Sequence, residues 1–361
     1  MKTIINIIFS TLLLIFYSCG NSNQTSQETE QNISDNSQTI ENEDVGNKID
    51  YDNTKVIRNV YVTDREGVEL KQEANENSTT LGIYEYGTKL DVIEETDKWL
   101  GVRERITRDF IRDGSKIQST GWEKIYVLKN KTGIINEISL LPSDLNIISS
   151  LTRNQKTEYF ENGKQLKEFL SLELIDKTVF DKNKSIAVNF IIADSSVIKK
   201  KNGIIELKCQ NKAVKFIDKP DAEEERQEFY YAGQIDFLNQ YIIGGSYWES
   251  LDYRFIDKTS GEETAIFGEF PYISPDKKNI ICIYTNPYET TADLELYSIS
   301  NNKPKHIMSV SFKNWMPTVE TGEMYWGIDG YLYLTVNHVN SFWTADGHLN
   351  EKCQYIRIKI L

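Results

Sequence analysis

The chain has 361 residues, of which 39% are hydrophobic and 26% charged, and it carries a formal net charge of −13. That length suits about two domains, and the apolar share is sufficient for packed cores. With 54 acidic residues against 41 basic ones and no basic cluster, the composition excludes nucleic acid as a partner, because neutralising phosphates takes clustered Lys and Arg.

In chain order, Met1-Lys2 is a short basic start, and Ile4 to Tyr17 is an apolar run broken only by Asn6, Ser10 and Thr11. The run is short for a bilayer span but has the length of an export-signal core, so residues 1–18 are expected to be a removable signal peptide. It ends in Phe16-Tyr17-Ser18-Cys19-Gly20, which resembles a bacterial lipobox, with Phe16 standing where Leu is common. The resemblance implies that Cys19 takes up lipid, palmitate included, and that the chain is a lipoprotein of the bacterial cell envelope. In a Gram-negative cell that means the outer membrane. Each buried methylene of such an anchor adds about 0.8 kcal/mol of membrane affinity.

Residues 19–54 read as a tether. Between Gly20 and Thr54 there are eight acidic residues and one lysine, and few apolar ones. Such a stretch buries too little surface to offset its ordering entropy, so it is expected to be a disordered acidic spacer.

From Lys55 short β-prone runs alternate with turns: Val56 to Thr63, Val68 to Lys71, Thr80 to Tyr84, Leu90 to Glu94, Trp99 to Arg103, Ile125 to Leu128 and Gly133 to Asn136. Strands this short and close predict a small barrel over 55–136. Leu81-Gly82, Tyr86-Gly87-Thr88-Lys89, Trp99-Leu100-Gly101-Val102-Arg103 and Lys131-Thr132-Gly133-Ile134 follow in an order that resembles the bacterial SH3-like (SH3b) family. Two elements depart from it: Glu69-Leu70-Lys71 replaces Asn-Val-Arg, and Ile134 stands where Trp is common. A polar segment, Glu104 to Thr120, is expected to interrupt the barrel. The resemblance implies recognition of a cell-wall peptide or glycan, or of an envelope protein. Tyr84, Tyr86, Trp99 and Trp122 are the candidate groove residues, although both tryptophans also suit a small core.

Residues 140–361 predict a larger β-rich region. Leu166, Phe169 and Leu170 fit the stripe of a short amphipathic helix. Strand after strand follows: Ser185 to Ala193, Gly203 to Cys209, Ala213 to Ile217, Tyr230 to Phe237, Gln240 to Gly245, Tyr253 to Asp257, Ile280 to Tyr284, Leu294 to Ile299, His306 to Ser311, Tyr331 to Val336 and Gln354 to Leu361. Asp329-Gly330 and Asp346-Gly347 mark hairpins. The Ser274-Pro275-Asp276 turn before a strand resembles propeller-blade repeats, so the fold class is mainly β, an SH3-like barrel followed by propeller-like meanders, with an irregular sandwich as the alternative.

Little in the sequence points to chemistry. His306, His338 and His348 lack metal-site spacing, and HExxH, GxSxG and P-loop motifs are missing. Cys209, Cys282 and Cys353 have no CxxC pairing and fall in or beside predicted strands, where small buried thiols are at home. Asp221 to Glu225 reads as a solvated acidic loop. Tyr247-Trp248, Trp315, Tyr325-Trp326 and Trp343 suit either core packing or a binding face. No catalytic residue, metal or cofactor is assigned. The expectation is a binding or scaffolding protein; the alternative is a cell-wall hydrolase with an unrecognised site in the second region.

Overall fold

The computed structural model describes residues 46–112, 115–149, 160–194, 196, 198–222, 225–318 and 324–361. Residues 1–18, expected to be a signal peptide, Cys19 and part of the Asp221–Glu225 run lie outside them. The described chain is mainly β, in several antiparallel sheets.

The small module comprises β1 (Arg58–Val62), β2 (Val68–Lys71), β3 (Thr80–Tyr84), β4 (Lys89–Glu95), β5 (Trp99–Arg112), β6 (Ser115–Leu128) and β7 (Thr132–Gly133). They form one sheet in the order β3-β2-β6-β5-β4-β1-β7. Its alternating aliphatics, Val60, Val62, Val68, Leu70, Leu90, Val92, Leu100, Val102, Ile125 and Val127, make a single core. Each contributes roughly 1.5–3 kcal/mol by leaving water.

Glu104 to Thr120 does not interrupt this sheet. It continues β5 and β6 as a ribbon paired out to Arg112 and Ser115, past the last β4 contact at Val102. Polar cross-strand pairs hold the ribbon, including Thr107 Oγ1 to Thr120 Oγ1 at 2.9 Å and Lys116 Nζ to Asp109 Oδ2 at 2.7 Å. One ribbon face is half-buried but mixes Ile106 with Glu104 and Arg108, so charged residues break the apolar alternation and the pattern hid it. At the ribbon's base the register sets Glu104 opposite Glu123. Like charges so placed repel, and two partners relieve them: the Tyr84 phenol bonds Glu104, and Arg108 forks onto both Glu123 oxygens at 2.7 Å.

Residues 46–54, placed by composition in the expected spacer, are described as part of the small module's surroundings. Lys48 bridges Glu123, the Ile49 N–H donates to the Trp122 carbonyl at 2.9 Å, and Tyr51 lies over the Trp122 ring at 4.4 Å. Gly46 is packed so closely on Glu123 that a Cβ there would sit 2.1 Å from a carboxylate oxygen.

The large module begins with β8 (Leu170–Ile175), helix α1 (Lys177–Lys184) and β9 (Ala187–Val188), then the hairpin β10 (Ile204–Lys208) and β11 (Ala213–Ile217). Next comes the meander β12 (Gln227–Ile235), β13 (Gln240–Tyr247), β14 (Leu251–Asp257) and β15 (Glu263–Phe267). A second meander follows: β16 (Tyr272–Ile273), β17 (Asn279–Asn286), β18 (Thr291–Ser300) and β19 (Lys303–Phe312). β20 (Trp315–Pro317), β21 (Met324–Gly327), β22 (Tyr331–His338) and β23 (Gln354–Ile360) join a last sheet in the order β8-β23-β22-β21-β9, with β20 also on β22. Where a helix was expected at Leu166–Leu170, one 3-10 turn gives way to β8, because Leu170 and Leu172 face the core as a strand. Helix α1 buries only Phe180, too little apolar surface to mark it in the sequence.

Successive sheets share cores. Ile205 and Phe216 meet Phe229 and Ile243; Phe255 and Phe267 meet Ile273 and Ile280; Leu294 and Val310 meet Leu332 and Ile356. The Ser274 turn forms as expected, with Lys277 at φ 62° and the Asn279 N–H on Ser274 Oγ at 3.0 Å.

The two modules are joined directly. Leu140 and Leu145 of the connection are buried in the large module's core, and Gln354 exchanges side-chain hydrogen bonds with both backbone groups of Leu140.

Candidate functional site

The four candidate groove residues occupy four different environments. Tyr84 packs against the aliphatic core, and burial, helped by its bond to Glu104, pushes its phenol pKa up. Trp99 is buried on the sheet face opposite Leu100 and Val102. Trp122 is half-buried under Tyr51, whose other side meets Arg103 at 4.2 Å. Tyr86 belongs to the junction with the large module. Its hydroxyl accepts the Ser139 N–H at 2.8 Å, Arg65 lies over its ring at 3.7 Å, and Asn340 donates to its carbonyl at 3.1 Å. Gly87 beside it takes φ +82°, and a Cβ there would meet Asn340 at 2.7 Å.

The other aromatic groupings also separate. Trp248 and Trp343 are exposed, whereas Trp315 is stacked on Phe312 inside the core. Tyr325 and Trp326 are different again, because they wall a cavity.

This cavity of about 290 Å³ lies where the inner edges of the large module's sheets converge. β9 pairs with β21 through Val188 and Trp326, which brings the segment Asn189–Ile191 alongside. β16 and its approach, Phe270 to Ile273, supply the facing wall. Alternation along β21 sends Tyr325 toward α1, where its hydroxyl bonds the Phe180 carbonyl, and Trp326 toward the core between the last two sheets. Phe270 and Tyr272 meet edge to face at 4.8 Å. Trp326 is 2% exposed, and among the described residues its indole N–H has no acceptor. The sequence marks Tyr325-Trp326 as a pair, but the convergence of Phe190, Phe270 and Tyr272 on it is tertiary and leaves no local signal.

Beside this wall Glu269 is the described carboxylate whose pKa is raised, by burial first, its backbone bond from Phe270 opposing. Its charge is felt by Tyr230, Tyr253, Tyr272 and Cys282, so its surroundings are chiefly phenolic. Two of the larger clefts, about 540 and 440 Å³, share Lys177, Cys353 and Tyr355 beside β23. Their polar groups are already matched: Lys177 to Asp181 at 2.7 Å, Arg357 to Glu173 at 2.6 Å, and Asn337 to the Lys352 carbonyl at 2.8 Å. We therefore take the smaller, aromatic cavity as the candidate site, since ligand pockets are lined chiefly by apolar and aromatic side chains.

Of the histidines, His338 is buried at the module junction, His306 contacts Ser309 at 2.9 Å, and His348 is exposed. Cys209, Cys282 and Cys353 are all free thiols. Among the described residues, no three His, Cys, Asp or Glu side chains are grouped to hold a metal ion, and no helix is long and apolar enough to cross a membrane. No protein-family model, curated protein or solved structure matches the chain.

Proposed function

We propose that this chain is a lipid-anchored protein of the bacterial envelope with a binding or scaffolding role. The order of segments carries the reading: an apolar run, Ser18-Cys19-Gly20, an acidic spacer, and a β-rich body described from Gly46 onward. Lipid on Cys19 holds the body at the membrane, and residues 46–51, zipped onto β6, deliver that tether to folded structure. The small module acts as an SH3-like unit that recognises a cell-wall or protein ligand. The large one is propeller-like, its stacked meanders completed by a sheet that unites β8 with β23.

The test is metabolic labelling with an alkyne palmitate in a bacterial host, followed by fractionation. Wild type is expected to carry label and sediment with membranes, and Cys19→Ala to lose both. An unlabelled, soluble wild-type protein overturns the anchor.

A further inference from the structure

We infer that one end of the large module binds an extended, neutral polysaccharide of β-linked sugars, laid across the exposed rings of Trp248, Tyr288 and Trp343. The inference depends on neither the lipid anchor nor the small module. Trp248 tips the turn from β13 to β14, Tyr288 the turn from β17 to β18, and Trp343 stands in the loop from β22 to β23. They are 62%, 83% and 45% exposed. One open aromatic is ordinary, but the same place filled in successive sheets is a pattern.

The three rings lie at one end. Lys277, between β16 and β17, sits over the ring of Phe237, between β12 and β13, at 4.9 Å. Those two turns are therefore neighbours, and β13 and β17, each eight residues long, carry Trp248 and Tyr288 to the opposite end. There the Thr285 hydroxyl donates to the Pro317 carbonyl at 2.7 Å, and Pro317 pairs with Val336 near the end of β22. The loop bearing Trp343 thus rises beside the turn bearing Tyr288. Packed sheets stand about 10 Å apart, a spacing that lets one extended strand cross all three tips.

The surrounding chemistry selects the partner. An exposed indole or phenol offers a flat apolar face with a polar edge, and a pyranose with equatorial hydroxyls offers a matching C–H face. Exposed Glu249, Glu289 and Asp346 follow the rings in sequence and can accept bonds from sugar hydroxyls. Open clefts of about 460 and 440 Å³ adjoin the first and last tips, one lined by Trp248 and Gln227, the other by Phe342 and Asn350. Their basic groups, Lys219, Arg226 and Lys177, are already paired with Glu225, Glu228 and Asp181. Acidic tips of this kind oppose anionic lipid and phosphate chains. Charges between the rings also deny a protein partner the apolar centre its interface needs. A sugar strand needs only separate rings. Each is held ready by a closed turn: the Tyr247 N–H bonds the Ser250 carbonyl at 2.8 Å, the Glu289 N–H bonds Asn286 Oδ1 at 3.1 Å, and the Thr344 N–H bonds the His348 carbonyl at 2.7 Å.

The full chain is titrated by calorimetry with chitohexaose and chitobiose, both neutral and β-linked. Chitohexaose is expected to bind at least about tenfold more tightly, because one strand engages several rings together. Maltohexaose, whose α-linkages coil the strand, is expected to lose that advantage. Trp248→Ala, Tyr288→Ala and Trp343→Ala are each expected to weaken chitohexaose at least about fivefold, and Tyr288→Trp to keep its affinity. If one Ala variant does not fold, the other two and Tyr288→Trp decide. No binding of chitohexaose, equal affinity for chitobiose, or affinity unchanged in the folded Ala variants overturns the site. Ring-dependent binding to phosphatidylglycerol vesicles or to polylysine, with chitohexaose ignored, overturns it as well.

Discussion

Tyr86 of the small module and His338 of the large one meet edge to face, with ring centroids 5.4 Å apart. The two side chains come from opposite parts of the sequence, and their contact fixes how one module sits on the other. Arg65 completes the joint: its guanidinium covers the Tyr86 ring and reaches Asp144 Oδ2 at 2.9 Å.

Removing the Tyr86 hydroxyl tests the joint directly. Tyr86→Phe leaves the Ser139 N–H without its 2.8 Å acceptor and is expected to cost about 1–2 kcal/mol. Tyr86→Ala also removes the cation–π contact and is expected to cost about 3 kcal/mol. In calorimetry, wild type is expected to unfold in one transition and Tyr86→Ala in two, as the modules uncouple. A single unchanged transition in the Ala variant would count against a shared joint.

His338 predicts an acid-sensitive fold. Burial holds its imidazole pKa down at about 4, from an ordinary 6.5, with Asp144 opposing and Arg65 adding to the depression. Its Nδ1 accepts the Asn340 N–H at 3.1 Å, a bond open only to the neutral ring. The unfolded chain therefore takes up this proton near pH 6.5 and the folded chain only near pH 4. Stability from this group is complete above about pH 6.5 and falls as the pH drops toward 4, by about 3 kcal/mol in all. Urea melts at stepped pH are expected to show that decline, and His338→Gln to flatten it.

Glu123 is 3% exposed and Arg108 13%, so this ion pair is largely out of water. Breaking a buried pair by removing one partner costs about 3–5 kcal/mol, because the other charge is stranded. Glu123→Ala is expected to lose about 3 kcal/mol, and it also strips the surface on which Gly46 rests. Hydrogen exchange at Ile49, whose N–H bonds the Trp122 carbonyl, is expected to accelerate in Glu123→Ala. Arg108→Lys is expected to show a milder version of both effects, since an ammonium cannot fork onto two oxygens.

Sequence patterns made much of the body legible and the junctions almost none of it. β2, β3 and β11 fall where their β-prone runs stand, because buried alternation and flanking turns are local properties. The same logic fails for β5 and β6 beyond Arg103, where charged residues interrupt the ribbon's half-buried face. It fails again for β20 and β21, three and four residues long, which exist because β22 offers an edge to pair with. Ser185–Ala193 has strand-like residues yet gives only the two-residue β9, because β21 is paired for just Trp326 and Gly327. The candidate cavity was half visible: Tyr325-Trp326 is a conspicuous pair, whereas Phe190 and Phe270 look like any other core aromatic until the sheets converge.

One feature of the last sheet bears on how the body is made. Leu170 pairs with Ile360, so the earliest strand of the large module has no neighbour until the final residues arrive. Closing so long a loop is entropically slow, and the waiting edge stays open meanwhile. Until β23 is in place the large module therefore stays unsealed. β23 turns the lock, and removing it would leave β8 exposed to strands from other molecules.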